Sequence, residues 1–377
     1  MINFHAAGKL EIIPFPLALS KSRFRMRAIV PRSLLAALLA VPASANAAQP
    51  IETATTNLAP LAQIHGLPIL DARAITGDNH SIDSTSRTAR FSLTANIASV
   101  SQEFVSNNES LLLDGEINRI DLAYKQRIGW LDSYTKSIGL SSTTISLNIP
   151  YIHHSQGFMD STIETWHDWF GLPNSNRALR PDNALQYSYI SNGNTLLDFR
   201  NEANAFGDAT LQIAAVAARR ESSNQRLHIS TGVKLPTGDE LRLTGSGAAD
   251  LYTAITLENP IALDRWRLEW FVTGYYMRIH PSGPLASQVN DELLAGKIQL
   301  AGKLSPKWRL FAQFDYHEAL HRSEIEALGD DTLVGTFGVE RKLGKNRLII
   351  QLSEDLFVDN SHDAAFGVAL SRNLANR

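Results

Sequence analysis

The sequence predicts an all-β protein: a single transmembrane, antiparallel, up-and-down β-barrel of about twelve strands. Three observations predict it. The N-terminal region has the make-up of an export signal, and no later run approaches the ~18 apolar residues of a membrane helix. Stretch after stretch alternates apolar and polar residues with a period of two, as a sheet with two unlike faces requires. The connections alternate short and long over the C-terminal half, the layout of a barrel with tight periplasmic turns and longer outer loops.

The chain has 377 residues, a net charge of -3 and no cysteine. The near-neutral balance gives no reason to expect a nucleic-acid partner. Without cysteine there are no disulfides, Cys-ligated zinc or thiol catalysis. Residues 1–47 are expected to be a signal peptide: Arg27 and Arg32 are its basic part, Leu34 to Val41 its apolar core, and Ala45-Asn46-Ala47 its cleavage pattern. Its natural start is expected at Met26. Residues 48–88 are polar and irregular and read as a periplasmic extension, expected to tuck into the lumen. The barrel is expected over 89–377.

The expected strands begin with 90–97, followed by a polar loop at 101–116. Strand 117–129, a turn at 130–135 and strand 136–149 come next. The longest interruption is 150–206. It holds an expected short helix at 161–170 and a hairpin from 185–190 and 195–199. Then come 207–219, 226–235, 248–258, 266–279, 293–304, 308–318, 332–343, 347–357 and 363–372. The long connections are 236–247, 280–292 and 319–331, and the short ones 259–265, 305–307 and 344–346. If the hairpin at 185–199 also spans, the count is fourteen. Trp266, Tyr276 and Trp308 sit near strand ends, where barrels carry an aromatic girdle.

Six segments carry a family resemblance: Ile64-His65-Gly66-Leu67-Pro68, the run from Leu113 to Arg119, the run from Gly157 to Asn174, Lys234 to Asp239, Leu243 to Asp250, and Ser353-Glu354-Asp355. With them the chain resembles the DUF3187 family of proteobacterial proteins, grouped with outer-membrane β-barrels. The resemblance implies the barrel and carries no catalytic residues. The Lys-Leu-Pro-Thr-Gly strand end and Gly-Ser-Gly loop are also similar to barrels linked to uptake of apolar compounds. The chain ends Asn-Leu-Ala-Asn-Arg, whereas many such barrels end on an aromatic residue.

Three constellations offer chemistry. His317-Glu318-Ala319-Leu320-His321 fits the metalloprotease pattern, which needs both His on one helical face; here His317 ends an alternating strand. His153, His154 and Ser155, with Asp160 and His167 near, contain the types of a Ser–His pair, but spacing assigns no orienting group. Neither carries a catalytic or metal assignment, and no cofactor is expected. The third, Trp166, His167, Asp168, Trp169 and Phe170, is the candidate constriction or ligand contact, because Trp166, Trp169 and Phe170 share one helical side. The plainer alternative is an apolar stripe packing the loop onto the barrel. Lys234, Arg267, Glu269 and Asp315 interrupt strands opposite the apolar face and should line the lumen, since charge facing lipid is costly.

The expected function is a gated channel or binding protein for a small apolar solute, monomeric and surrounded by outer-membrane lipid. The alternatives are a barrel hydrolase acting on lipid or peptide, and a structural or surface-binding barrel with a plugged lumen.

Overall fold

The computed structural model describes residue 61 and residues 89–171, 181–220, 225–263, 266–356, 361–362 and 364–374. For Phe170, Arg220, residues 260–263, Trp266 and Arg267 it describes the backbone. The signal peptide and all of the extension except Leu61 lie outside the described residues. Every described residue belongs to one compact unit, Thr53–Arg377.

Twelve strands form the ring. In chain order these are β1 (Ala89–Val105), β2 (Glu109–Arg127), β3 (Ser141–Ser155), β7 (Thr210–Arg220), β8 (Gln225–Lys234), β9 (Asp250–Leu263), β10 (Trp266–Arg278), β11 (Glu292–Ser305), β12 (Trp308–His317), β13 (Thr332–Leu343), β14 (Asn346–Asp355) and β15 (Ala364–Leu374). Each pairs antiparallel with its neighbours, β2 with β3, and β1 with β15 from Ala89↔Leu374 to Ser99↔Ala364. Closure satisfies every edge, which an open sheet in hydrocarbon could not do.

Three short strands, β4 (Gln186–Ser191), β5 (Asn194–Phe199) and β6 (Ala203–Phe206), lie outside the ring. The hairpin at 185–199 therefore exists but adds no crossing, and the ring has twelve strands. β4 pairs with the outer end of β2, and β6 with the outer end of β3. The β4–β5 turn is Asn192-Gly193, both at positive φ (51° and 75°), the geometry a two-residue hairpin favours.

The expected loop at 101–116 is instead two strand ends. β1 and β2 run 17 and 19 residues, well beyond the ~9–11 that cross a bilayer. Their polar residues are tolerated because this part stands above the membrane, while Leu111 and Leu113 keep the alternation facing inward. The expected strand start at 136 is also corrected. Residues 131–138 form α1 (Leu131–Thr135) and a single tighter turn, Lys136–Ile138. Asp132 holds this turn by accepting the Thr143 N–H at 2.7 Å and pairing with Arg127 at 2.5 Å. α2 (Asp160–Phe170) matches the expected helix, and α3 is Glu326–Gly329.

The outward face is an apolar band: Phe91, Leu93, Ile120, Leu122, Leu211, Ile213, Ile255, Ile298, Leu300, Leu310, Phe337, Ile350, Val368 and Leu370 are all exposed. In water such a surface would aggregate; in lipid it is solvated. Aromatic residues edge it. Trp130 and Tyr134 meet edge-on at 6.4 Å at the periplasmic end, and Tyr151 and Phe206 at 5.6 Å at the outer end. The Arg341 guanidinium lies 5.1 Å over the Trp308 ring, and Tyr276 edges the outer end. The Trp266 side chain lies outside the described residues. Among the described residues no helix is long and apolar enough to cross a membrane, which says nothing of crossing by strands.

Candidate functional site

The candidate site is the lumen, which has three levels. The outer level is apolar. Leu111 and Leu113 of β2, Tyr187 and Tyr189 of β4, Met277 of β10 and Leu293 of β11 form one buried cluster with Leu243, Leu285, Leu320 and Leu328 from the outer loops. Tyr187 stacks on Phe199 of β5 at 5.5 Å, and His154 of β3 stands edge-on to both rings. The β4–β5 hairpin thus folds into the mouth and caps it.

A charged clamp holds the loop at 236–247 in this cap. Lys234, at the end of β8, bonds Asp208 at 2.8 Å, Asp250 at 2.9 Å and the Ser246 hydroxyl. Asp208 also accepts the backbone N–H of Gly238 (3.0 Å) and Ser246 (2.8 Å). The loop doubles back so tightly that a Cβ on Gly238 would lie 2.7 Å from the Gly245 Cα. This folding brings Leu243 to the cluster, where its carbonyl bonds His154 Nε2 at 3.1 Å. The Lys-Leu-Pro-Thr-Gly-Asp and Gly-Ser-Gly segments are therefore the two halves of one clamp.

The middle level receives Leu61 of the N-terminal extension. Its side chain is 2% exposed among Phe271, Ala301, Phe311 and Ile349, all pointing inward. Its backbone N–H donates to Gln313 Oε1 at 2.8 Å, and its carbonyl accepts from Gln313 Nε2 at 3.1 Å. Gln313 is oriented by the Gln299 amide at 2.9 Å and by the Asp315 carboxylate at 2.8 Å. Asp315 in turn pairs with Lys297 at 3.3 Å.

The inner level is charged. Glu269 of β10 lies between Arg309 (3.3 Å) and Lys303 (3.5 Å). Arg226 and His228 of β8 face Glu258 of β9 at 3.5 and 3.1 Å. Glu340 of β13 faces Arg347 of β14 at 3.7 Å.

Of the candidate lumen residues, Lys234, Glu269 and Asp315 are buried on the inward side, each in an ion pair. They occupy three different levels. The Arg267 side chain lies outside the described residues. α2 stands on the other side of the wall. It buries Met159 and Ile163 with Ala364 and the outward-facing Ile97, and Glu116 anchors its start by accepting the Phe158 and Met159 N–H groups. His167 is buried on this side, Trp166 is half-buried, Asp168 is exposed and Trp169 is 76% exposed. The Phe170 side chain is outside the described residues. The buried stripe is thus Met159, Ile163 and His167, with Trp166 half-buried at its edge and Trp169 turned out.

The metalloprotease-like segment is not helical. His317 ends β12, Glu318 accepts the Leu294 N–H at 3.0 Å, and His321 makes a strand-like bridge with Val289. Among the described residues no group of three or more His, Asp or Glu is placed to hold a metal ion. His154 bonds Leu243, while Ser155 accepts from Asn118 at 3.3 Å. Sequence reasoning missed Leu61, Gln299 and Gln313. The two glutamines stand inward on alternating strands, but nothing in the pattern ties them to a residue 252 positions upstream.

The closed ring, its lipid-facing band and its polar interior define an outer-membrane β-barrel. Residues 29–373 match the family described as a protein of unknown function, DUF3187, and the chain belongs to that family. Its fold is similar to the COG4313 outer-membrane channel from Pseudomonas putida F1 (12% identity, TM-score 0.49, covering 80% of this chain and 100% of the other). It is also similar to the toluene transporter TbuX of Ralstonia pickettii (10%, TM-score 0.36, 78% and 90%). A third is the CymD monoaromatic hydrocarbon channel (8%, TM-score 0.33, 82% and 91%). No protein of curated function shows significant sequence similarity to the chain.

Proposed function

We propose that the barrel is a monomeric, gated channel for a small apolar solute. The observation that carries this reading is the apolar cluster at the outer mouth. Water-soluble nutrients and ions gain nothing from such a surface, whereas an apolar solute leaves water favourably there. Below it the inward wall turns polar, so the solute meets a graded path rather than a uniform hydrocarbon interior. The paired charges of the inner level argue against strong ion selectivity.

Planar-bilayer conductance of the detergent-folded protein tests this. The native chain should give small or rare steps, and Tyr187→Ala with Leu197→Ala should enlarge them by removing the centre of the cap. Deleting 157–174 in parallel tests Trp166 to Phe170: steps unchanged from native place the helix outside the conduction path. Silence of the cap variant, in protein shown to be folded, would sink the channel reading.

A further inference from the structure

Leu61 is the only described residue of the N-terminal extension, and it sits in a built pocket. Two small residues make the space. Ala301 lines it, and a Cβ added to inward-facing Gly338 would lie 3.3 Å from a Leu61 methyl. Phe271, Phe311 and Ile349 supply its larger walls. An apolar pocket here stands out, because the Lys297–Asp315 pair lies on one side of it and the Glu269–Arg309 pair on the other.

The polar side of the pocket is equally defined. A carboxylate can only accept, so Asp315 requires the NH₂ of Gln313 to face it. The Gln313 carbonyl oxygen then faces the Gln299 NH₂. This chain of bonds fixes the Gln313 amide, and it presents one donor and one acceptor side by side. Leu61 uses both through its own backbone. The charges nearest the seat are already paired, and a charge buried here without a counterpart would be heavily penalised.

We infer that this seat is the solute-binding site of the lumen and that Leu61 is an intrachain occupant which the solute replaces. The inference rests on the channel reading above. The solute class follows from the seat: a neutral molecule with a branched or aromatic apolar body joined to an amide-like donor–acceptor pair. A plain hydrocarbon would leave Gln313 unsatisfied when Leu61 departs, which carries a desolvation penalty.

The probe is N-acetyl-leucinamide, which carries the same isobutyl group and amide pair, with N-acetylglycinamide as its control. Binding to the full, detergent-folded chain is measured calorimetrically. Leu61→Gly empties the apolar half of the seat, leaving only a backbone to compete for Gln313, and should tighten N-acetyl-leucinamide binding by roughly tenfold over the native chain, the scale of one buried aliphatic side chain. N-acetylglycinamide should gain little. Adding Gly338→Val, which fills the seat, or Gln313→Leu, which removes the amide, should each abolish the gain; either serves if the other fails to fold. Equal binding to native and Leu61→Gly protein, or equal gains for both amides, overturns the inference. Conductance of Leu61→Gly protein that also carries Tyr187→Ala and Leu197→Ala separates the two readings. Channel steps without the selective binding leave the channel and overturn the seat. Selective binding without any steps leaves a binding site and overturns the channel.

Discussion

The outer end of the lumen is filled by apolar side chains from six chain segments, and the inner end by charge pairs between strands one or two apart in the ring. Both ends are occupied, but they resist opening differently. The outer cluster is held by contact area, which is non-directional and can rearrange around a guest. The inner pairs are directional, and separating one leaves charges in a poorly solvated wall. The outer end is therefore suited to yielding, and the inner end to keeping the barrel in register.

The largest test of this contrast is Lys234→Ala, which leaves Asp208 and Asp250 buried beside each other without their cation. We expect a loss of about 3–5 kcal/mol, seen as a lower thermal midpoint and as proteolytic nicking within 236–247. Native-like resistance would show that the cap stands without its clamp. Next is Tyr187→Ala alone, for which removing a large buried ring should cost about 3 kcal/mol; a spectroscopic melting curve reads it. On the inner side, Glu269→Gln removes the anion shared by Arg309 and Lys303. A destabilisation of roughly 1–3 kcal/mol is expected, together with a shift of the reversal potential in a salt gradient toward anion preference. An unchanged reversal potential would mean that the conducting path bypasses the inner level.

The smallest effect belongs to the periplasmic turn. Burial alone would raise the Asp132 carboxyl, but the Thr143 N–H bond and Arg127 outweigh it and hold it below its usual range. A depressed carboxyl stabilises the fold above its unfolded pKa, and that stability is lost as pH falls through the folded value. Asp132→Asn should cost about 1 kcal/mol at neutral pH. The difference from the native chain should vanish in strong acid; a constant difference at every pH would refute the assigned ionisation.

Much of the ring was legible because a strand with one face in lipid and one in the lumen must alternate. Leu227, Ile229 and Thr231 against His228 and Ser230 state it directly, and the positions of Lys234, Glu269 and Asp315 on the inward side follow. The strand count was nearly legible: whether 185–199 crosses depends on what it pairs with, not on its own pattern. The outer reach of β1 and β2 was hidden because strands above the membrane need no outward apolar face. α2 shows the limit of a local stripe. Trp166, Trp169 and Phe170 share a helical side, yet the wall beside it receives Met159 and Ile163. The seat of Leu61 was not legible, since a single leucine in a polar stretch has no period, and Gln313 reads as one more inward polar residue.

The seam between β1 and β15 has a consequence for biogenesis. It joins Ala89–Ser99 to Ala364–Leu374, so it can form only after the rest of the strands have been delivered. Pairing across so long a separation is slow compared with the hairpins that precede it. Leu61 is synthesised and exported before any of them. It is thus present while the nascent wall is still an open, curling sheet, and the sheet can wrap around an occupant already in place. Assembly order alone would then deliver the barrel with its seat taken.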